Sequence, residues 1–178
     1  MPRLFTALAV PEAIGQTLAL HRGGLPGARW IEPGDYHVTL RFLGDVSLDL
    51  AEDLCAALAE ARPRPPVEIT LDGLASFGGD RPRAVFAAVA ASPDLLDLQA
   101  EQERLARRAG AEPERRRFTP HVTLARLNRS ARPEDVAMFL SGTALAPVRF
   151  TAREVVLFSA RASTGGGPYV AEAVFPFA

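Results

Sequence analysis

The chain has 178 residues, of which 48% are hydrophobic and 23% are charged, and its formal net charge is −1. These values describe one globular domain or two small lobes that share a core. The near-zero net charge excludes a broad basic surface of the kind that binds long nucleic acids non-specifically. All 20 basic residues are arginines, so a local arginine cluster that holds a small anion stays open.

The first half of the chain predicts the order strand, helix, strand, helix, strand. The apolar run from Arg3 to Val10 is too short to cross a membrane and predicts a buried strand. Pro11 is typical of the first turn of a helix. His21 and Arg22 precede two glycines, as at a helix C-terminus, so His21 is left out of the candidate site. The predicted strands are 3–10, 37–42 and 67–77, and the predicted helices are 11–21 and 47–61.

The second half of the chain repeats this order. Ser92 followed by Pro93 is typical of a helix N-cap and first helical residue, and Ser47 is a similar cap in the first half. A loop rich in Gly and Pro precedes the second strand of the first half, and the arginine-rich loop 115–117 precedes its counterpart. The predicted elements are strand 83–90, helix 92–110, a strand from 121, helix 133–140, and strands 148–158 and 169–177.

The closing strands of the two halves match without a gap. Val67, Thr70 and Phe77 correspond to residues of the same type at 148, 151 and 158, each 81 positions later. We infer an internal duplication with a small insertion or deletion, with halves of about 1–80 and 81–178; two unrelated strands of similar composition are the alternative. Duplication predicts an α+β fold with two lobes related by a pseudo-two-fold axis around a central groove. Gly165–Gly167 and Pro168 predict a turn or loop that could form a rim of that groove.

The tetrapeptide His-Val-Thr-Leu occurs twice, beginning at His37 and at His121, and it contains two of the three histidines. Alternation along a strand puts each histidine and its threonine, Thr39 or Thr123, on one face and the aliphatic residues on the other. Histidine exchanges a proton near neutral pH, since its ordinary pKa is about 6.5. Two such pairs across a groove predict an acid and a base at a phosphate, with the hydroxyls bonded to the phosphate oxygens.

Other chemistries fit the sequence less well. A single His-x-Thr is an ordinary strand sequence, but two identical copies at matching positions favour a function. Catalytic zinc usually needs three protein ligands, and although Asp35 precedes the first motif, the second has no acidic residue there. There is no Gly-x-Ser-x-Gly segment for a serine hydrolase. We therefore expect no metal and no cofactor.

The residue five positions after each histidine differs between the motifs. Arg126 follows His121 and could grip phosphate oxygens, whereas Phe42 follows His37 and could stack on a nucleobase. Strict strand alternation would turn both side chains away from the histidines, so each needs a bend to reach the groove. Core packing is the alternative for Phe42.

The remaining candidates are open to two interpretations each. Arg41 shares the parity of the first histidine, which predicts a place in the groove, but it could be a solvated charge at a strand end. Arg115–Arg117 could attract an anionic substrate or form a solvated loop. Trp30 and Phe118 are expected to pack within the lobes. Cys55 is expected to be a small core residue of a helix, since a reactive role needs an activated thiolate.

With these residues in place, the chain resembles the 2H phosphoesterase superfamily. Within it, the chain is most similar to the bacterial and archaeal RNA 2′,3′-cyclic phosphodiesterases, also called 2′-5′ RNA ligase-like proteins. The resemblance covers nearly the whole chain. It lies in the opening Arg3–Ala7, the segment around Trp30, and two longer segments, Tyr36–Gly44 and Phe118–Arg126.

The resemblance implies a single domain, 1–178, with antiparallel sheets backed by helices. It implies metal-independent hydrolysis of an RNA terminal 2′,3′-cyclic phosphate to a 2′-phosphomonoester, with His37 as proton donor and His121 as acceptor. Thr39, Thr123 and Arg126 would hold the phosphate. The expected partners are RNA ends or small cyclic-phosphate nucleotides, and we expect a cytoplasmic monomer without a protein partner. Cleavage or reversible joining of 2′-5′ linkages, hydrolysis of a small cyclic nucleotide, and non-catalytic binding of RNA ends are the alternatives.

Overall fold

The computed structural model describes residues 2–160 and 168–178, and within them the chain forms four helices and nine strands. The helices are α1 (Glu12–Ala19), α2 (Leu48–Ala59), α3 (Pro93–Arg108) and α4 (Pro133–Gly142). The strands are β1 (Arg3–Ala9), β2 (Ala28–Trp30), β3 (His37–Asp45), β4 (Val67–Phe77), β5 (Ala84–Val89), β6 (His121–Leu127), β7 (Val148–Ala152), β8 (Glu154–Ala160) and β9 (Tyr169–Pro176).

The strands form one antiparallel sheet in the order β7-β4-β5-β6-β3-β1-β8-β9, with β2 paired to β6. The predicted α+β class is confirmed. The two strands that begin with histidine, β3 and β6, meet at the centre of this order through a single register pair, Val38 with Val122. We call β7, β4, β5 and β6 the His121 lobe, and β3, β1, β8 and β9 the His37 lobe.

Each lobe contains strands from both halves of the chain. β4, which closes the first half, pairs with β5 of the second half, and β8 of the second half pairs with β1. β4 also pairs with β7 in a register centred on Ile69 and Phe150. The offset of 81 places these two residues at matching positions. Exchanging the two halves of the chain therefore reproduces the same β4–β7 pairs, as a pseudo-two-fold axis requires.

The predicted strand 148–158 is wrong, because β7 and β8 are separate strands at opposite sides of the sheet. The matching strand β4 continues through Gly73. At this residue the backbone φ is 82° and the register with β5 shifts. Glycine tolerates this left-handed backbone. The offset of 81 puts Glu154 at that position, and the chain instead leaves the ladder at Arg153. The predicted Gly165–Gly167 turn lies outside the described residues.

The core lies under the two histidine strands. Val38, Leu40, Val122 and Leu124 are at most 2% exposed and belong to one apolar cluster, as the predicted alternation requires. Helix α3 packs on β3 and β4 and contributes Leu95 and Leu98 to this cluster. The apolar half of each motif is therefore what fixes its strand to the protein.

The helix caps follow the sequence. The Ser47 hydroxyl accepts a hydrogen bond from the backbone N–H of Leu50 (3.1 Å), and the Ser92 hydroxyl accepts one from Leu95 (3.2 Å). The loop predicted between the first helix and β3 also contains the short strand β2 and a 3₁₀ turn at Pro33–Asp35. In the part of the chain that the structure describes, no helix combines the length and apolarity needed to cross a membrane.

Candidate active site

A bulge interrupts each histidine strand at the same position of the motif. In the β1–β3 ladder, Ala7 pairs with Thr39 and Thr6 with Arg41, so Leu40 has no partner of its own. In the β5–β6 ladder, the register moves in the same way from Thr123 to Ala125 and leaves out Leu124. An extra residue on one strand changes which side chains face which side of the sheet beyond it.

The bulges bring Phe42 and Arg126 into the groove and turn the preceding residues, Arg41 and Ala125, towards the interior. Phe42 and Arg126 are exposed and line cavities shared with the histidines. Arg41, which strict alternation places beside His37, is instead only 6% exposed, and Ala125 is fully buried. Because the bulge shifts the alternation by one residue, Arg41 is largely buried, although it still lines a cavity on the side of His121.

The groove contains two neighbouring cavities, one around each histidine. The first has a volume of about 330 Å³, and we call it the His37 cavity. The second has a volume of about 460 Å³, and we call it the His121 cavity. Thr39, Phe42 and Arg126 line both. Thr123 lies half-buried on β6 and lines neither. Five of the six predicted site residues thus line one continuous region.

A backbone carbonyl two residues upstream orients each histidine. His37 Nδ1 donates a hydrogen bond to the carbonyl of Asp35 (2.8 Å), and His121 Nδ1 donates one to the carbonyl of Thr119 (2.6 Å). With the Nδ1 proton committed to a carbonyl, a neutral imidazole carries its free lone pair on Nε2. Each ring can then accept a proton at Nε2 or, once protonated there, donate it.

Aromatic rings that the sequence interpretation missed hold both imidazoles. His37 lies 4.8 Å from Phe5 and 5.1 Å from Tyr169, measured between ring centroids. His121 lies 4.8 Å from Phe77 and 5.1 Å from Phe86. The two members of each phenylalanine pair are also stacked, Phe5 on Phe158 and Phe77 on Phe86. The offset of 81 relates Phe5 to Phe86 and Phe77 to Phe158. A search for aromatic residues at matching positions would therefore have found these four phenylalanines.

Both histidines favour the neutral form in the free protein. The pKa of His37 is lowered to about 4, chiefly by burial; the hydrogen bond to the Asp35 carbonyl opposes this change, and the charges of His121 and Arg126 add to it. Burial also lowers the pKa of His121, and the Arg126 charge acts in the same direction. An anion in the groove would oppose both causes, because it interacts favourably with Arg126 and with a protonated imidazole.

Arg41 ties the first histidine strand to a loop before the second. Its guanidinium donates to Glu103 on α3 (2.5 Å), to the carbonyl of Phe42 (2.7 Å) and to the carbonyl of Glu112. Glu103 also accepts from Arg107 (2.7 Å) and from the backbone N–H of Glu114 (3.1 Å). Burial alone would raise the pKa of Glu103, but these hydrogen bonds bring it below its ordinary value. Arg41 and Glu103 together therefore hold the start of the loop 112–120 in place.

The three arginines of that loop differ in position. Arg116 is paired with Glu114 (3.1 Å), and these hydrogen bonds lower the pKa of the Glu114 carboxyl to about 2. Arg116 and Arg117 line the His121 cavity, whereas Arg115 does not. Two of the three arginines therefore lie at the groove, where the sequence left an anion-attracting role open.

The remaining candidate residues from the sequence have structural roles. Trp30 and Phe118 pack against the main core as predicted, and Phe118 also lines the His121 cavity. Cys55 is half-buried and packs against a second apolar cluster. His21 Nε2 lies 3.0 Å from the carbonyl of Ala144, away from the groove. Among the described residues, no three His, Cys, Asp or Glu side chains come together in a way that could hold a metal ion.

The family model described as the 2′-5′ RNA ligase superfamily matches residues 26–164, which include both histidine motifs. The chain belongs to this superfamily. The family expectation drawn from the motifs is therefore confirmed.

Named members of the superfamily are similar over much of the chain. The chain is 32% identical over 166 residues to the RNA 2′,3′-cyclic phosphodiesterase of Geobacillus stearothermophilus, which is 89% of this chain and 52% of that protein. It is 39% identical over 106 residues to a protein of the same name from Aeropyrum pernix, 58% of this chain and 59% of that protein. The chain thus spans between half and three fifths of the length of these two relatives.

Solved structures share the complete fold. The crystal structure of E. coli LigT complexed with 3′-AMP superposes with a TM-score of 0.76 at 24% identity, covering 99% of this chain and 98% of LigT. The protein TT0787 of Thermus thermophilus superposes with a TM-score of 0.78 at 23% identity, covering 98% of this chain and 97% of that one. These likenesses confirm the superfamily fold.

Glu103→Ala is expected to destabilise the protein by about 3 kcal/mol, because it leaves the buried Arg41 guanidinium without its carboxylate. Urea unfolding measures this loss. Glu60→Ala is the matched control, since Glu60 pairs with Arg108 at 3.5 Å on the surface, with both side chains 68% exposed; its cost should be at most about 1 kcal/mol. Equal losses in the two variants would contradict the role of Arg41 and Glu103 as a structural tie.

The stability of the protein should fall on acidification through the His37 imidazole. The unfolded histidine has a pKa of 6.5 and the folded one about 4. The unfolded chain therefore binds more protons between these pH values, and stability falls as pH is lowered through this window. Between pH 7 and pH 4, wild type should lose about 2–3 kcal/mol more than His37→Asn. Urea midpoints measure this, and parallel pH profiles for the two proteins would refute it.

Proposed function

We propose that the chain is a metal-independent phosphodiesterase that opens the 2′,3′-cyclic phosphate at an RNA end to a 2′-phosphomonoester. The observation that carries this proposal is the pair of imidazoles, each oriented through Nδ1 by a backbone carbonyl, in one groove with Thr39 and Arg126. A protein that only binds phosphate does not need an acid and a base. The arrangement therefore favours catalysis over simple recognition.

The reaction needs one proton acceptor and one proton donor. His121, as acceptor, takes a proton from water, and the oxygen of that water forms a bond to phosphorus. The bond from phosphorus to the 3′-oxygen breaks, and His37 gives its proton to that oxygen. The 2′-oxygen keeps the phosphate. This distribution of the two roles follows the resemblance to the superfamily, because the pseudo-symmetric geometry does not distinguish them.

The other polar groups hold the phosphate. The Thr39 hydroxyl and the Arg126 guanidinium donate hydrogen bonds to non-bridging oxygens, which gain charge in the transition state. Thr123, on the same strand face as His121, is proposed to do the same after a small rearrangement, since it does not line the free groove. The exposed ring of Phe42 offers a stacking surface for the terminal base.

The protonated donor forms together with the substrate. In the free protein, burial and the Arg126 charge keep both imidazoles neutral near pH 7. The cyclic phosphate is an anion, so it offsets the Arg126 charge and favours a proton on the imidazole nearest to the leaving oxygen. Substrate binding and protonation of His37 are therefore coupled.

The named relatives support this function. Five of them carry the name RNA 2′,3′-cyclic phosphodiesterase, and LigT was crystallised with 3′-AMP. Because the chain spans only part of the length of the first two, their whole activity is a proposal for this chain. RNA ends or small cyclic nucleotides as partners, a cytoplasmic location and a monomeric state belong to the same proposal.

The decisive experiment uses an oligoribonucleotide with a 2′,3′-cyclic phosphate in excess EDTA. A 2′-phosphomonoester should form, and His37→Ala and His121→Ala should each lower kcat about 10²–10⁴-fold, because each removes one proton-transfer group. His21→Ala, which removes the histidine outside the groove, should keep the wild-type rate. Loss of activity in EDTA, or full activity in either groove variant, would overturn the proposal.

The pH dependence of kcat/KM should be bell-shaped with its maximum below pH 6.5. This parameter reports the pKa values of the free protein, and both histidines have lowered values, about 4 for His37. The form with one neutral and one protonated imidazole is therefore most populated in mild acid. The maximum of kcat should lie at higher pH, because the bound phosphate raises both pKa values. A flat kcat/KM profile from pH 5 to 8 would contradict this assignment.

A further inference from the structure

We propose that the His121 cavity binds the phosphodiester one nucleotide upstream of the cyclic phosphate, so that the protein selects RNA ends over cyclic mononucleotides. This inference rests on the proposed function. It concerns the part of the His121 cavity that is lined by Arg83, directly before β5, and by Arg117 of the loop 112–120. The chemistry recognised is a second phosphate anion next to a nucleobase.

The two cavities differ in charge. The His121 cavity contains Arg83 and Arg117, two exposed cations for which the described residues provide no carboxylate partner. In the His37 cavity the corresponding cation, Arg3, is bound to Asp45 at 3.4 Å. Among the described residues, guanidinium groups without a carboxylate partner are therefore concentrated on one side of the shared residues.

The carboxylates near the His121 cavity are already neutralised. Glu114 is its one acidic lining residue within the described chain, and Arg116 binds it at 3.1 Å. Glu103, which does not line the cavity, forms a salt bridge with Arg41. The charges of Arg83 and Arg117 are consequently not cancelled by neighbours. With a net charge of only −1 on the whole chain, this local excess has no counterpart in the general composition.

The position suits the next phosphate of an RNA strand. The cyclic phosphate lies at the histidines, and Thr39, Phe42 and Arg126 line both cavities, so the terminal ribose extends along them. A single ribose separates this phosphate from the next one upstream. The two guanidinium groups of Arg83 and Arg117 in this cavity can each form charge-assisted hydrogen bonds to phosphate oxygens. A cyclic mononucleotide has no phosphate there and gains nothing from them.

The aromatic lining indicates little selection among bases. Phe42 and Phe118 line the His121 cavity together with the two arginines. Stacking of a base on an aromatic ring is tolerant of base identity. Gln99 lies in the same lining but donates its amide N–H to the carbonyl of Leu40 (3.3 Å). The cavity thus favours an additional nucleotide rather than a particular sequence.

The test compares two substrates, adenosine 2′,3′-cyclic phosphate and the dinucleotide ApA with the same cyclic end. Wild type should hydrolyse the dinucleotide with a kcat/KM about tenfold or more above that of the mononucleotide. The double variant Arg83→Gln/Arg117→Gln should reduce this ratio about tenfold. Arg83→Lys/Arg117→Lys keeps the charge and should recover part of it. Arg115→Gln is the matched control, since Arg115 is an exposed neighbour in the same loop that does not line the cavity.

The outcomes separate this inference from the proposed function. Equal kcat/KM values for the two substrates in wild type, or the same loss of preference in Arg115→Gln, would overturn the upstream phosphate site while leaving the phosphodiesterase intact. Hydrolysis of neither substrate would instead refute the proposed function. The preference of wild type should also weaken with added salt, and that of the double variant should depend less on salt. An identical salt dependence in both proteins would count against the site.

Discussion

The site depends on the pairing of Val38 with Val122, the single register pair that joins the two lobes. Both side chains are fully buried, and alternation along a strand then sends the residues on either side of them, a histidine and a threonine, to the opposite face. The buried valine and leucine of each motif thus determine the face to which its histidine and threonine point. Because the two strands meet at equivalent residues, one imidazole from each lobe reaches the same groove without any loop to position it.

The bulges at Leu40 and Leu124 add what a regular strand cannot provide. A regular strand would bring Arg41 to the histidines and bury Phe42 and Arg126. The extra residue reverses this order, so that Arg41 becomes part of an internal tie to Glu103 and the groove receives one ring and one guanidinium. Strand parity therefore placed the histidines and threonines on one face but did not predict the burial of Arg41, because a bulge is set by the register with the partner strand and leaves no pattern in the sequence of its own strand.

The fold was predictable where local signals decide it and not where distant strands do. Serine caps and alternating apolar residues gave the helices and most strands, and the constant offset between Val67 and Val148 indicated a repeated unit. The exchange of β4 and β8 between the lobes depends on which strands meet after the chain has folded. The break at Arg153 follows from this exchange, since β7 and β8 pair with partners far apart in the sheet. A short β2 without a helix or hairpin signal was missed for the same reason.

The effect of Arg126 on the histidines should depend on whether an anion occupies the groove. In the free protein its charge lowers the pKa of both imidazoles, which keeps them neutral and limits the mutual repulsion of three cations in a half-buried space. In the proposed reaction, a bound phosphate would offset the guanidinium charge, and its own negative charge would then favour a proton on one imidazole. Under the proposed function, the phosphate would thus bring about the acid that its own cleavage requires. Phe42, at the matching position of the other motif, carries no charge, so this coupling is unequal on the two sides of a pseudo-symmetric site.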